Sequence, residues 1–128
     1  MKPHEEWLFK AAHDIESAIV LLGSMNSLFD IAIYHTQQCA EKSLKAFLAF
    51  YSRDISKSHN LLTLLETCIL IDESFDNFYE DCIYLNPFAT LYRYPEGDLM
   101  PSKEEVETAI EKAARILNSV KANIEEIV

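Results

Sequence analysis

Turn-forming residues are scarce in this chain. Two glycines and four prolines serve 128 residues, whereas an all-β fold needs a turn roughly every 8–12 residues, which argues against a sandwich or a barrel. Long apolar runs are missing as well. The most apolar stretch, LLTLLETCILI, is short and interrupted by Glu66, and the opening MKPHEEW has no apolar core. Neither a membrane span nor a signal peptide is expected, and the chain reads as cytoplasmic. The three cysteines, Cys39, Cys68 and Cys82, are odd in number, far apart and without a C-x-x-C pair. They offer neither a disulfide framework nor a zinc site and read as small buried hydrophobes.

Positive charge is the last shortage. Eleven Lys and Arg stand against 21 Asp and Glu, a formal net charge of −10. A protein that held nucleic acid mainly by neutralising phosphates should be basic, so a general or DNA-specific nucleic-acid binder is not expected. The deficit is uneven. From Glu41 to His59 four basic residues (Lys42, Lys45, Arg53, Lys57) face two acids (Glu41, Asp54), which makes this window +2 and leaves −12 for the rest.

What is present is ample apolar content, 49% against 25% charged, enough for the core of one globular domain over residues 1–128. From Pro3 to Leu22 the residues Leu8, Ala11, Ile15, Ala18, Ile19 and Leu22 recur at helical spacing, with Pro3 in the first turn and Gly23 after the end. The spacing predicts a second helix over residues 27–51, with Ile33, Gln37, Ala40, Leu44, Phe47 and Tyr51 on one stripe and Gln37 as its polar intruder. Glu41 with Lys45 and Gln38 with Lys42 are spaced as ordinary helix-surface pairs. Ser58 is the expected N-cap of a third helix running to Asp72, which would put His59 in its first turn. A fourth helical segment is expected over residues 74–92, kinked or restarted at Pro87. After the loop RYPEGDLMP, Ser102-Lys103-Glu104-Glu105 forms a capping box that opens a last helix. The economical fold is all-α, an antiparallel, up-down bundle of four to five helices.

Four separated motifs then coincide. They are W-x3-A-x2-D-x3-A (Trp7, Ala11, Asp14, Ala18), QQ-x-AEK-x-LKA (Gln37 to Ala46), H-x-L-x2-L (His59, Leu61, Leu64) and LYRYP (Leu91 to Pro95). In order and spacing the sequence resembles HEPN domains, named for nucleotide binding in higher eukaryotes and prokaryotes. The resemblance implies a helical bundle, commonly a homodimer, often encoded beside a minimal nucleotidyltransferase with which it forms a toxin–antitoxin pair. It also implies a site. Active members carry an Arg with a polar residue directly after it and, a few residues on, a His. Here Arg53, Asp54 and His59 match, with five residues between the Arg and the His.

That pair suits metal-independent RNA cleavage. Histidine exchanges protons near neutrality, and arginine presents a fixed planar charge to phosphate oxygens. The catalytic candidates are therefore Arg53, His59 and Asp54. Lys57, Lys45 and Arg93 are candidates for nucleotide or phosphate contact, and Gln37 and Glu41 for orientation. One histidine cannot easily be base and acid at once, so two copies across a two-fold axis would complete the chemistry. The competing expectation is a non-catalytic module that binds a nucleotide or a partner protein through the same window. No cofactor or metal is expected. The acids Asp72, Glu73, Asp76, Glu80 and Asp81 lack the spacing of a calcium loop, and His4, His13 and His35 lack metal-ligand spacing. Asp14 reads as a structural hydrogen-bonding residue, and Trp7 as core or dimer interface.

Overall fold

Residue 2 hands the chain directly into a helix. In the computed structural model, which describes residues 1–55, 57–95 and 97–127, α1 spans Pro3–Leu22. Pro3 sits in the first turn, where its missing N–H costs nothing, and the Glu5 carboxylate accepts a hydrogen bond from the Lys2 N–H at 3.0 Å. Ala11, Asp14, Ile15 and Ala18 form its buried stripe. The small alanines let α1 lie close against α2, Phe29–Phe50.

Helix α2 is the hub. It packs on α1, α5, α3 and α4, and 13 of its 22 residues are buried. A helix enclosed on so many sides cannot keep its polar residues on a wet face. Gln37, Glu41 and Lys45 are accordingly inside the protein.

The end of α2 is a Schellman motif. Ser52 takes a left-handed backbone, φ 54°. Its N–H donates to Ala49 O at 3.0 Å, and the Arg53 N–H donates to Leu48 O at 2.9 Å. An apolar residue usually follows the left-handed position and packs back on the helix. Here that residue is Arg53, and its side chain stays outside.

Helix α3 spans Leu61–Ile71, and its N-cap is Asn60 rather than Ser58. Asn60 Oδ1 accepts from the N–H groups of Leu62 (2.9 Å) and Thr63 (3.4 Å). Asn86 Oδ1 accepts from Leu61 N–H at 2.9 Å. Ser58 Oγ instead accepts from Asn60 N–H at 3.0 Å, closing the turn before the helix. His59 therefore precedes the cap and does not lie in the first turn.

The expected fourth helix is broken up. A 3-10 turn at Glu73–Phe78 leads into α4, Tyr79–Leu85, and a second 3-10 turn covers Asn86–Ala89. Pro87 has no N–H to continue the α ladder. The aromatics favour the compact path, with Phe75 packed on Phe47 at 4.2 Å and beside Phe78 at 5.7 Å. Helix α5, Lys103–Ile127, returns along α1 and α2. Its capping box is present, with Glu105 N–H donating to Ser102 Oγ (3.1 Å) and Ser102 N–H to Glu105 Oε1 (3.2 Å). Five α-helices and no strand among the described residues make the fold all-α. Its buried apolar side chains form one cluster drawn from every helix. No helix among the described residues is long and apolar enough to cross a membrane.

Candidate functional site

Glu41 sits at mid-height on α2 with its carboxylate buried. Oε2 accepts from Lys45 Nζ at 3.1 Å, one turn along the same helix. Oε1 takes a longer bond of 3.4 Å from Gln37 Nε2. The third partner comes from outside the helix. His59 Nδ1 lies 3.0 Å from Oε2 and 3.1 Å from Oε1. Gln37 Nε2 also donates to the His59 carbonyl at 3.2 Å, and Gln38 Nε2 steadies Gln37 through its Oε1 at 2.7 Å. Both the ring and the backbone of His59 are thus tied to one face of α2.

This arrangement fixes the imidazole. An ionised carboxylate can only accept, so Nδ1 carries the proton and Nε2 is left as the working atom. The His59 side chain is 72% exposed, so that nitrogen faces solvent while its opposite edge is gripped by a buried acid. The same geometry orients histidines that must present one ring nitrogen in a set direction.

Other expected residues fall in different places. Asp54 is exposed and is not the carboxylate beside His59; Glu41 is. Lys45 is not available to a phosphate, because its ammonium is buried against Glu41 and lies over the Trp7 ring, 5.4 Å from the centroid. Trp7 is half-buried at the core's edge. Lys57 is exposed in the connector. Free N–H groups at the start of α3 are also unavailable for phosphate, since Asn60 and Asn86 occupy them.

Arg53 is exposed, and no carboxylate among the described residues pairs with it. As a cation next to the last carbonyls of α2 it has a favourable electrostatic setting. Its backbone is anchored at Leu48 and that of His59 at Gln37. Leu48 and Gln37 are eleven residues apart, about 16 Å along the helix axis. The connector therefore runs back along α2 and spreads the two groups along it.

Arg93 lies further along, its guanidinium 4.4 Å from the centroid of the Tyr34 ring. A cleft of about 300 Å³ opens there between Asp30, Ile31, Tyr34, His35, Tyr92 and Arg93. A second buried carboxylate was not foreseen as a centre of charge. Asp14 Oδ1 accepts from His35 Nδ1 at 2.8 Å, and Oδ2 from Lys42 Nζ at 2.7 Å. His35 and Lys42 are seven residues apart on α2, two turns on one face, which was the signal available in the sequence. No group of three or more His, Cys, Asp or Glu among the described residues could hold a metal ion.

Comparison with known proteins agrees with this architecture. The family model described as "HEPN domain" matches residues 4–123. Among solved structures, an archaeal HEPN homologue is 28% identical, with a TM-score of 0.79, over 97% of this chain and 99% of its own. A protein from Thermus thermophilus shares the fold at 24% identity, with a TM-score of 0.77, over 95% of this chain and 98% of its own. None of the curated proteins matches.

Proposed function

Since the chain belongs to the HEPN domain family, we propose that it is a metal-independent endoribonuclease whose working groups are His59 and Arg53. The observation that carries this reading is the solvent-facing imidazole of His59 clamped through Nδ1 by the buried Glu41. A purely structural histidine gains nothing from turning its second nitrogen to solvent. A proton-transfer group needs that orientation.

In this mechanism His59 Nε2 removes the proton from a ribose 2′-hydroxyl. The 2′-oxygen attacks the adjacent phosphorus, the bond from phosphorus to the 5′-oxygen breaks, and a 2′,3′-cyclic phosphate remains. The leaving 5′-oxygen takes a proton from the equivalent histidine of a second copy, so the active form is a symmetric dimer. Arg53, anchored further along α2 with its long side chain exposed, reaches back to supply the cation for charge building on the phosphoryl oxygens. Glu41 keeps the imidazole oriented and stabilises it once protonated, and Gln37 holds the His59 backbone in place. In its wider form the reading makes this chain the toxin-type half of a pair with a minimal nucleotidyltransferase, to which a strongly acidic surface is suited if that partner is basic.

The test is incubation of the purified protein with single-stranded RNA in excess chelator, with end-group analysis of the products. The parent is expected to yield 2′,3′-cyclic phosphate and 5′-hydroxyl ends, and His59→Ala and Arg53→Ala to yield none. Equal cleavage by parent and variants sinks the reading. RNA binding without cleavage by the parent would leave a non-catalytic binding module in its place.

A further inference from the structure

Tyr34, Gln38, Glu41 and Lys45 recur at intervals of three and four residues, so they form one stripe along α2. Arg93 stacks on Tyr34 at one end of this stripe, and His59 is held by Glu41 further along it. Tyr34 and Glu41 are seven residues apart, about 10 Å along the axis. A stacked strand rises about 3.4 Å per nucleotide, so this separation is on the order of two or three nucleotides.

We propose that Arg93 and Tyr34 form a nucleotide subsite flanking the scissile phosphate, so that the substrate is a single-stranded RNA running between the exposed His59 and Arg93. The proposal rests on the ribonuclease reading and specifies which part of the RNA is gripped away from the cut.

Three features make this a built place. Arg93 forms no ion pair among the described residues, in a protein with ten more negative than positive charges. An arginine that served only stability here would have carboxylates to choose from. Its guanidinium rests instead on an aromatic face, which leaves its other face open to a base and its edge N–H groups open to a phosphate. Its position is also enforced. Tyr92, directly before it, takes a left-handed backbone, φ 69°, a conformation that bulky residues adopt only where their surroundings demand it. Tyr92 is stacked on Phe88 with centroids 6.1 Å apart, and its hydroxyl reaches Glu105 Oε2 at 3.5 Å. Finally, the cleft contains an acceptor. Asp30 lines it beside Arg93; its carboxylate disfavours a phosphate at that wall and suits the exocyclic amine of a base.

The experiment uses full-length protein and 2′-O-methyl RNA oligonucleotides, which lack the attacking hydroxyl and so report binding alone. Binding of a dinucleotide and a hexanucleotide is followed by fluorescence anisotropy across a salt series. Arg93→Ala and Tyr34→Ala are expected to weaken hexanucleotide binding about tenfold and leave the dinucleotide nearly unchanged, while Tyr34→Phe keeps parental affinity. Loss of one phosphate contact should flatten the slope of log K against log salt by about 0.7 in Arg93→Ala. On cleavable RNA the same variants should raise KM and keep kcat. If both alanine variants bind the two lengths like the parent, the subsite is wrong even where the parent cleaves RNA. If the parent binds by this pattern without cleaving, the ribonuclease reading falls and the subsite stands. If the parent binds neither length, both fall. Circular dichroism of Arg93→Ala, whose side chain is exposed, guards against loss of fold as the cause.

Discussion

Two buried carboxylates, one on α1 and one on α2, have the same kinds of partner and do different things. Asp14 accepts from a histidine Nδ1 and a lysine Nζ, and so does Glu41. In the first cluster the acid is on α1 and both donors are on α2, so the bonds cross a helix interface and act as a strut. His35 and Lys42 are 27% and 23% exposed there, neither fully in nor out. In the second cluster acid and lysine share one turn of α2 and brace no second helix. Lys45 is only 6% exposed while His59 is 72% exposed. The charge pair is interred and the imidazole is displayed. A carboxylate with these partners braces the fold when its donors lie on a neighbouring helix, and mounts a reactive group when one donor arrives on a connector.

The comparison breaks most visibly in activity. His59→Ala and Arg53→Ala should each lower RNA cleavage by about a thousandfold, within the range for lost proton transfer or transition-state charge. His35→Ala should leave it within a few-fold. Melting temperatures of His59→Ala and Arg53→Ala should stay close to the parent, since both side chains are exposed. If His35→Ala costs as much activity as His59→Ala, the division between strut and mount fails.

Stability separates the clusters next, in the opposite sense. Glu41→Ala strands the Lys45 ammonium inside the protein and should cost about 3–5 kcal/mol by urea unfolding. Asp14→Ala frees His35 and Lys42, which can turn to water, and should cost nearer 1–2 kcal/mol. The double variant Glu41→Gln with Lys45→Met removes the buried charge pair together. It should recover most of the stability lost in Glu41→Ala, yet its RNA cleavage should remain at least tenfold down because the imidazole has lost its charged mount.

Much of this architecture was legible in the sequence because its signals are local. The apolar stripe of α1 and the Ser102–Glu105 box of α5 each rest on contacts within one or two turns, and the helices form where those signals lie. The third helix shows the limit. Ser58 and Asn60 are both good caps, and what separates them is Asn86, which approaches from a distant segment and binds Asn60 at 3.4 Å. Over residues 74–92 the restart at Pro87 is legible, but aromatic periodicity does not distinguish the 3-10 turns on either side of α4 from α-helix. The site shows the limit most clearly. Glu41 and Lys45 have the spacing of a routine surface pair, and only the crowding of α2 by its neighbours turns that pair into a buried one. Asp54, adjacent to Arg53, is the carboxylate nearest to His59 along the connector. The chain's return along α2 brings Glu41 there instead, 18 residues from His59 in sequence.

The smallest effect reads the strut alone. Cys39 is fully buried, and its thiol is pushed up from 9.0 to about 12, first by burial, against a lowering by Ser43, with Asp14 raising it and Lys121 and Lys42 lowering it. At neutral pH it should therefore resist thiol reagents until the protein opens. Asp14→Ala, by loosening the contact of α1 with α2, should speed Cys39 modification several-fold, while the double variant Glu41→Gln with Lys45→Met, which strands no buried charge, should leave the rate nearly unchanged. The same shift gives a pH dependence. Below about pH 9 the thiol is protonated in both states and contributes nothing. Above it the unfolded thiol ionises and the buried one does not, so the unfolded state binds fewer protons and stability falls toward about pH 12. Cys68 and Cys82, raised to about 12 in the same direction, add to the fall. Urea midpoints measured from about pH 7 to about pH 10.5 should be flat at first and then decline. Cys39→Ser should lessen that decline and abolish the difference in labelling between the Asp14 and Glu41 variants, which would assign the signal to the face of α2 that Asp14 braces.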